Sequence, residues 1–234
     1  MQALTSCHAE GREMSRFNKC SAPILLVCTL YLAAAAQANA QPESIKILVV
    51  YYSKTGHTAA MAKAVAEGAK KMKAAEATTK TVSEVKCAEL LAADALIVGS
   101  PVYWSNMAGE VKSFFDRWTT ECKVLPPDFQ MKDKVGAAFV TAGDVSSGKE
   151  VTLLTILAAM IGNRMIVLSE GQALGATATT GDGKLPLDSK DLEEGRRLGE
   201  RVAQVALTLK RGRRLSPLVG ALRPRHDRRV RNPG

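Results

Sequence analysis

Metal-ligand spacing is missing from this sequence. It holds three histidines and five cysteines in 234 residues, and no pair of cysteines has the short spacing of a zinc site or a redox motif. A metal centre or a dithiol redox protein therefore has no donor set to start from. Long apolar runs are missing as well. The longest, Ala22 to Ala36, is 15 residues, mostly apolar and interrupted by Pro23, whereas a membrane-spanning helix needs roughly 20. Cys28 follows the bulky Val27, a poor lipoprotein site, and no twin-arginine pair precedes the run. A basic nucleic-acid face is also absent from the body of the chain. The formal charge is +9, but residues 211–234 hold eight Arg against one Asp, and residues 1–40 contribute +1. The stretch 41–210 is left at +1, which gives no electrostatic case for a DNA-binding fold.

What is present divides the chain into three. Residues 1–40 read as a secretory signal peptide: Arg16 and Lys19 precede the apolar run, and Ala38-Asn39-Ala40 follows it as a small-x-small cleavage site. Met14 gives a more usual basic start than Met1. The implied location is outside the cytoplasm, periplasmic or secreted, if the signal is cleaved; otherwise the chain is membrane-anchored or cytoplasmic. Residues 41–210 have the composition of one globular domain. Residues 211–234 are Arg- and Pro-rich with little periodicity and read as a disordered basic extension. Cys87 and Cys122, which lie within the domain, are read as two buried or half-buried thiols, with a disulfide between them the alternative if the protein is exported.

The domain alternates strand and helix. Ile45 to Tyr52 is an apolar run interrupted only by Lys46, followed by a helical stripe of Met61, Ala64, Val65, Gly68, Ala69 and Met72 at spacings of three and four. A weak strand near Thr79–Ser83 and a short helix over Lys86–Ala92 lead to the buried run Ala95–Gly99. A helix bearing Val111, Phe114, Phe115 and Trp118 follows. Then come a buried strand, Val135–Ala142, an apolar helix, Val151–Ile161, a fifth strand at Met165–Leu168, a Gly/Thr-rich loop over Gly171–Asp188 and a last helix over Asp191–Lys210. Apolar strands without alternation are covered on both faces. The pattern predicts a doubly wound five-stranded parallel sheet in a three-layer α/β/α arrangement. In such sheets ligands sit beyond the carboxyl ends of the strands, which is where loops 53–58, 100–106 and 141–148 fall.

The first of these loops, Ser53-Lys54-Thr55-Gly56-His57-Thr58, joins a strand to a helix. It is neither a Gly-x4-Gly-Lys-Ser/Thr P-loop nor a Gly-x-Gly-x-x-Gly turn. Hydroxyl donors, a glycine that lets the backbone bend and the positive end of a helix nevertheless suit an anion such as a phosphate. The plain alternative is an ordinary turn with Thr58 as N-cap.

Together the loops resemble a known family. Ser53–Thr58 is similar to the FMN phosphate loop of flavodoxin-like proteins. Gly99-Ser100-Pro101-Val102-Tyr103-Trp104-Ser105-Asn106-Met107-Ala108-Gly109, continued by Phe114-Phe115-Asp116-Arg117, resembles their second flavin loop. Thr141-Ala142-Gly143-Asp144 with Gly148-Lys149-Glu150-Val151-Thr152-Leu153-Leu154 is similar to the third loop of WrbA-type NAD(P)H:quinone oxidoreductases. The resemblance covers roughly 45–210. It implies the flavodoxin-like strand order 2-1-3-4-5, FMN as cofactor, NADPH or NADH as co-substrate, two-electron reduction of a quinone, and a homo-oligomer, dimer or tetramer.

The site residues it implies are Ser53, Lys54, Thr55, Gly56, His57 and Thr58 around the phosphate, and Pro101, Val102, Tyr103, Trp104, Ser105 and Asn106 beside the ring. Thr141, Ala142, Gly143, Asp144 and Gly148 complete the set. Tyr103 and Trp104 offer planes for stacking. Asp116 and Arg117 are expected to form a structural ion pair, and Arg164 to reach a neighbouring subunit or the cofactor. No catalytic side chain and no metal are implied, because the flavin carries the chemistry. Three features depart from the WrbA-type pattern. Thr55 stands where that type usually has Tyr and matches the flavodoxin form, Tyr103-Trp104-Ser105 stands where Arg-Phe-Gly is common, and Asn163 or Arg164 stands where a His often precedes the fifth strand. An electron-carrying flavodoxin without its own substrate is the alternative.

Overall fold

The computed structural model describes residues 44–222, apart from 171, 172, 182 and 185. The expected signal peptide lies outside the described residues, as does 223–234 of the basic extension.

Five strand positions make one parallel sheet. Strands β1 (Ile45–Tyr51), β2 (Ala75–Thr81), β3 (Ala95–Tyr103), β5 (Val135–Ala142) and β6 (Ile166–Leu168) lie in the order β2-β1-β3-β5-β6. The register runs Ile45↔Ala75, Ile47↔Ala95, Ala95↔Val135 and Val135↔Ile166. A two-residue strand, β4 (Asn106–Met107), pairs antiparallel with the end of β3 and shifts the numbering. The arrangement is thus the 2-1-3-4-5 order of the flavodoxin-like fold. The fifth position is shared: β6 covers the first half of β5, and β7 (Ala176–Thr179) covers the second, from Phe139↔Ala176 to Ala142↔Thr179. Strand β7 falls inside the stretch read as a loop.

Helices cover both faces because the strands are apolar on both. On one face, Ile45, Ile47, Val49, Ile97, Ala137 and Phe139 pack under α1 (His57–Lys70) and α5 (Ser189–Leu222). On the other, Leu48, Val50, Leu96, Val98, Ala138 and Val140 pack under α2 (Cys87–Ala92), α3 (Gly109–Thr120) and α4 (Lys149–Gly162). The ring of Phe139 occupies the space a side chain would need at Gly99, whose Cβ would fall 2.0 Å from it. Helices α1 and α5 meet backbone to backbone. A Cβ on Gly68 would lie 1.9 Å from the Arg196 carbonyl oxygen, and one on Gly199 would lie 1.9 Å from that of Val65.

Three expectations are corrected. Cys87 and Cys122 are joined in a disulfide, Cα to Cα 5.1 Å. The start of α2 and the turn after α3 are brought together by the fold on one face of the sheet, a proximity that a spacing of 35 residues does not reveal. Helix α5 continues to Leu222, so the first part of the extension read as disordered is helical. Its side chains anchor it: Lys210 Nζ donates to the Ser44 carbonyl and to Asp94 Oδ2, each at 2.8 Å, and Arg213 donates to the Asp133 carbonyl. Asp116 and Arg117 do not pair with each other. Asp116 accepts from Lys112, and Arg117 faces Glu121 and donates to the Val82 carbonyl.

Candidate functional site

The three expected loops converge at the carboxyl edge of the sheet. The first begins where β1 ends. Gly56 takes φ 94°, a left-handed conformation that glycine adopts without steric cost, and serves as N-cap of α1 with no side-chain capping bond. The Gly56 N–H donates to Ser53 Oγ at 3.1 Å, which folds the loop over itself. The first intrahelical bond shown at this end is Ala60 N–H to the Gly56 carbonyl. The amides before it are the unpaired donors that every helix N-terminus presents. They point with the positive end of the helix dipole into the loop. Lys54 and Thr55 are exposed there.

Two of the loop's side chains are buried. Thr58 is 2 % exposed and its Oγ1 lies 2.8 Å from Thr141 Oγ1, a bond across 83 residues that ties the first loop to the third. His57 is 6 % exposed; its Nδ1 meets Thr55 Oγ1 at 2.8 Å, while Nε2 is buried without a partner. If Thr55 donates to Nδ1, the proton sits on Nε2. If Nδ1 donates, the Thr55 hydroxyl is free to donate to an anion. Either tautomer leaves one donor unused. An unsatisfied buried nitrogen beside a loop of free amides is what a phosphorylated ligand would complete.

The second loop is a hairpin. Strand β3 runs on to Tyr103, turns through Trp104 and Ser105, and returns as β4, pairing Val102↔Met107 and Tyr103↔Asn106. Both turn residues have positive φ, 52° and 58°, the type I′ geometry that normally selects Asn and Gly. A tryptophan there is strained, and such strain gathers at functional sites. Trp104 is 101 % exposed and Tyr103 41 %. Asn106 Oδ1 accepts from its neighbour's amide, Met107 N, and from Thr155 Oγ1 on α4. Ser100 Oγ accepts from Ala108 N and donates to the Pro101 carbonyl, fixing the base of the hairpin.

The third loop closes on the second. Gly148 caps α4 at φ 86°, and a Cβ there would lie 2.6 Å from Ser105 Cβ. Gly143 has nothing within 4 Å of where its Cβ would be, so the backbone at 143 is open to a planar ligand. Ser146 N–H and Ser147 Oγ both bond Asp144, which holds the loop in shape. Tyr52, at the end of β1, joins the first loop to the start of α3. Hydrogen bonding to Glu110, then desolvation and the charge of that carboxylate, hold its phenol above the ordinary tyrosine value.

The structure thus assembles Ser53 to Thr58, Pro101 to Asn106 and Thr141 to Gly148 on one rim. It also shows a residue absent from the expected contacts. Lys149 is 7 % exposed, and its Nζ donates to Thr179 Oγ1 at 2.8 Å. This ammonium has no carboxylate partner among the described residues. The signal lay in the sequence, since Lys149 directly follows the loop glycine, but its partner sits on β7, the strand read as loop. Two clefts lie outside the three loops. One, of about 540 Å³, runs between Val82 and Arg117 along α3; the other, of about 350 Å³, lies between β1, β2 and α2 and contains none of the three loops. The described residues hold no cluster of metal-ligating side chains, and none of their helices is long and apolar enough to cross a membrane.

The donor set fits a flavin mononucleotide: free amides and hydroxyls for a phosphate, an aromatic hairpin for the ring face, and loop backbone for its polar edge. Comparison with known proteins agrees. The family model for NADPH-dependent FMN reductases matches residues 84–180. A flavodoxin of Clostridium saccharobutylicum is 34% identical over 58% of this chain and 79% of its own length. An NAD(P)H dehydrogenase (quinone) of Gluconacetobacter diazotrophicus is 30% identical over 70% of this chain and 98% of its own. The crystal structure of a flavodoxin, WrbA-like protein from Agrobacterium tumefaciens superposes with a TM-score of 0.60 at 31% identity, covering 70% of this chain and 99% of that one.

Proposed function

The chain belongs to the flavodoxin-like, WrbA-like family of FMN proteins, related to the NADPH-dependent FMN reductases, and we propose that it is an FMN-dependent NAD(P)H:quinone oxidoreductase. The observation that carries this reading is the open aromatic hairpin. A carrier that hands electrons to a protein needs only a shielded ring edge, whereas Tyr103 and the fully exposed Trp104 offer planes against which a quinone can stack. The near-neutral body, +1 over 41–210, suits a small neutral acceptor. The quinone reductase relative, matched over almost its whole length, supports the same conclusion.

Bound FMN supplies the hydride and electron chemistry. The protein's part is to bind and orient. The α1 N-terminus, Ser53, Thr55 and His57 hold the phosphate; the Thr58–Thr141 bond fixes the distance between the first and third loops. The hairpin 102–106 supplies the ring face, and the backbone of 141–148 supplies donors and acceptors to the pyrimidine edge. Lys54 adds a solvated positive charge, and Asp144 and Gly148 shape the third loop. NADPH or NADH is the reductant and a quinone the acceptor. The protein acts as a homo-oligomer outside the cytoplasm; the Cys87–Cys122 disulfide supports an oxidising location.

The purified protein is expected to show a flavin absorption band that NADH or NADPH bleaches and a quinone restores. A flavin band that neither nucleotide bleaches, with no quinone reduction, would sink the oxidoreductase reading. That result would favour an electron carrier, the reading supported by Thr55 and by the flavodoxin relative at 34% identity.

A further inference from the structure

Lys149 breaks two rules of charge placement. It opens α4, directly after the cap at Gly148, and the start of a helix carries the positive end of the dipole, which suits acids rather than bases. Its side chain is also buried, and a buried ammonium is costly unless a counter-charge and hydrogen bonds surround it. Compensation is incomplete. No carboxylate pairs with it among the described residues. Asp191 Oδ2 accepts from the Thr179 N–H, not from Lys149. Of the three donors an ammonium offers, one has an acceptor, Thr179 Oγ1. Local violations of this kind gather at functional sites. The place is informative as well. Strand β7 ends at Thr179, opposite Ala142 at the end of β5, and the Thr180 N–H donates to the Ala142 carbonyl at 2.7 Å. The third loop leaves from Ala142 and returns to Lys149 itself. The positive charge is therefore held in the base of that loop, enclosed between its two ends and β7.

Resting on the flavin reading, we infer that Lys149 is the fixed positive charge that favours reduced, anionic FMN over the oxidised, neutral ring, and so makes the ring a readier hydride acceptor. The step balances. Hydride from NAD(P)H brings two electrons and one proton, which bonds at N5 of the ring, and leaves NAD(P)+. The added negative charge settles on the pyrimidine edge of the ring, the edge assigned to loop 141–148. It leaves again when the hydride passes to the quinone, which takes one proton from water to become the hydroquinone. Lys149 exchanges no proton in either half. It acts by its field, which is stronger in a dry interior than in water and needs no rearrangement as the charge develops. The phosphate does not account for this lysine. The first loop already supplies donors for that group, and a phosphate has the same charge in both redox states, so a lysine serving it would hold both forms equally.

Lys149→Met removes the charge and keeps the length; Lys149→Gln removes the charge and keeps a donor for Thr179. The readouts are the affinity for oxidised FMN, by titration of apo-protein, and the two-electron potential of the FMN-loaded protein, by equilibration with a dye of known potential. Both variants are expected to bind oxidised FMN within threefold of wild type and reduced FMN at least tenfold more weakly, so the potential falls by about 30 mV or more. Lys149→Arg, which keeps the charge, should stay within threefold of the wild-type ratio. Without FMN, the Met variant is relieved of a buried charge at the positive end of a helix and should melt no lower than wild type. A potential unchanged in either neutral variant overturns the assignment. So does a Met apo-protein that melts several degrees lower, which would make the lysine a structural support for Thr179. A wild-type protein that binds FMN in neither redox state refutes the flavin reading; one that binds it with a potential indifferent to position 149 refutes this inference alone.

Discussion

Replacing Gly148 with alanine tests whether the contact between the second and third loops sets the site. Two costs follow from the geometry. The residue sits at φ 86°, which costs an L-amino acid with a Cβ about 1 kcal/mol. The new methyl would also stand 2.6 Å from Ser105 Cβ and 2.7 Å from Ser105 Cα and Oγ, where ordinary contact begins at 3.4 Å. The loops must then part by roughly 0.8 Å, the shortfall between those distances. The hairpin is exposed and yields more easily than the core, so the fold loses little beyond the backbone term, a fall in Tm of roughly 2–6 °C. Ligand geometry suffers more. A displacement of about 1 Å costs up to 10²-fold in function, so FMN affinity is expected to fall roughly 10- to 100-fold, or about 1.4–2.7 kcal/mol. Titration of apo-protein followed by flavin fluorescence gives the affinity, and a thermal melt gives the stability. In a Ser105→Gly background the Cβ and Oγ overlaps vanish but the Cα overlap remains, so the penalty shrinks without disappearing. An FMN dissociation constant within twofold of wild type would refute the idea that these loops act as one wall.

Three further outcomes are expected. Trp104→Gly relieves a left-handed tryptophan, so Tm rises by a few degrees on about 1 kcal/mol, while kcat/KM for quinones falls about tenfold through the lost stacking; parallel changes in both readouts would contradict the assigned role. Cys87→Ala/Cys122→Ala opens a loop spanning 35 residues, a loss of about 3–4 kcal/mol on chain entropy, and the melts of wild type with and without reductant should differ by the same amount. Glu194 has its carboxyl raised above 4.5, chiefly by desolvation. A raised acid favours folding only when protonated. Glu194→Gln should therefore be more stable than wild type at pH 7, with the gap closing as pH falls through the raised value towards 4.5; a gap that persists at pH 4 disproves the assignment.

Sequence periodicity reveals strands and helices here because both faces of the sheet are covered. Predominantly apolar runs at 45–52, 95–99 and 135–142 favour covered strands, and the stripe from Met61 to Ala69 is buried as its spacing requires. The site loops are legible because their composition breaks sharply with the runs they end. What stayed hidden depends on contacts distant in sequence. Strand β7 is built from Ala-Thr-Ala-Thr, too small and polar to register as a run, although its alternation of buried alanine and half-buried threonine is a strand signature. The disulfide, the Thr58–Thr141 bond and the Lys149–Thr179 pair join segments whose proximity only the fold creates. The reach of α5 to Leu222 depends on Lys210 and Arg213 finding acceptors at Ser44, Asp94 and Asp133, just before β1, β3 and β5, which local composition does not encode.

The chain contains two tryptophans, and the fold places them in opposite surroundings: Trp104 fully in solvent at the hairpin tip, Trp118 1 % exposed on α3, with its ring edge to face against Phe114. Their emission should be separable by wavelength, red-shifted for the first and blue-shifted for the second. The molecule thereby carries two internal fluorophores with distinct duties. Quenching of the red component follows ligand arrival at the rim, and a shift of the blue component follows loss of the core. Occupancy and integrity are thus readable from one cuvette without a label.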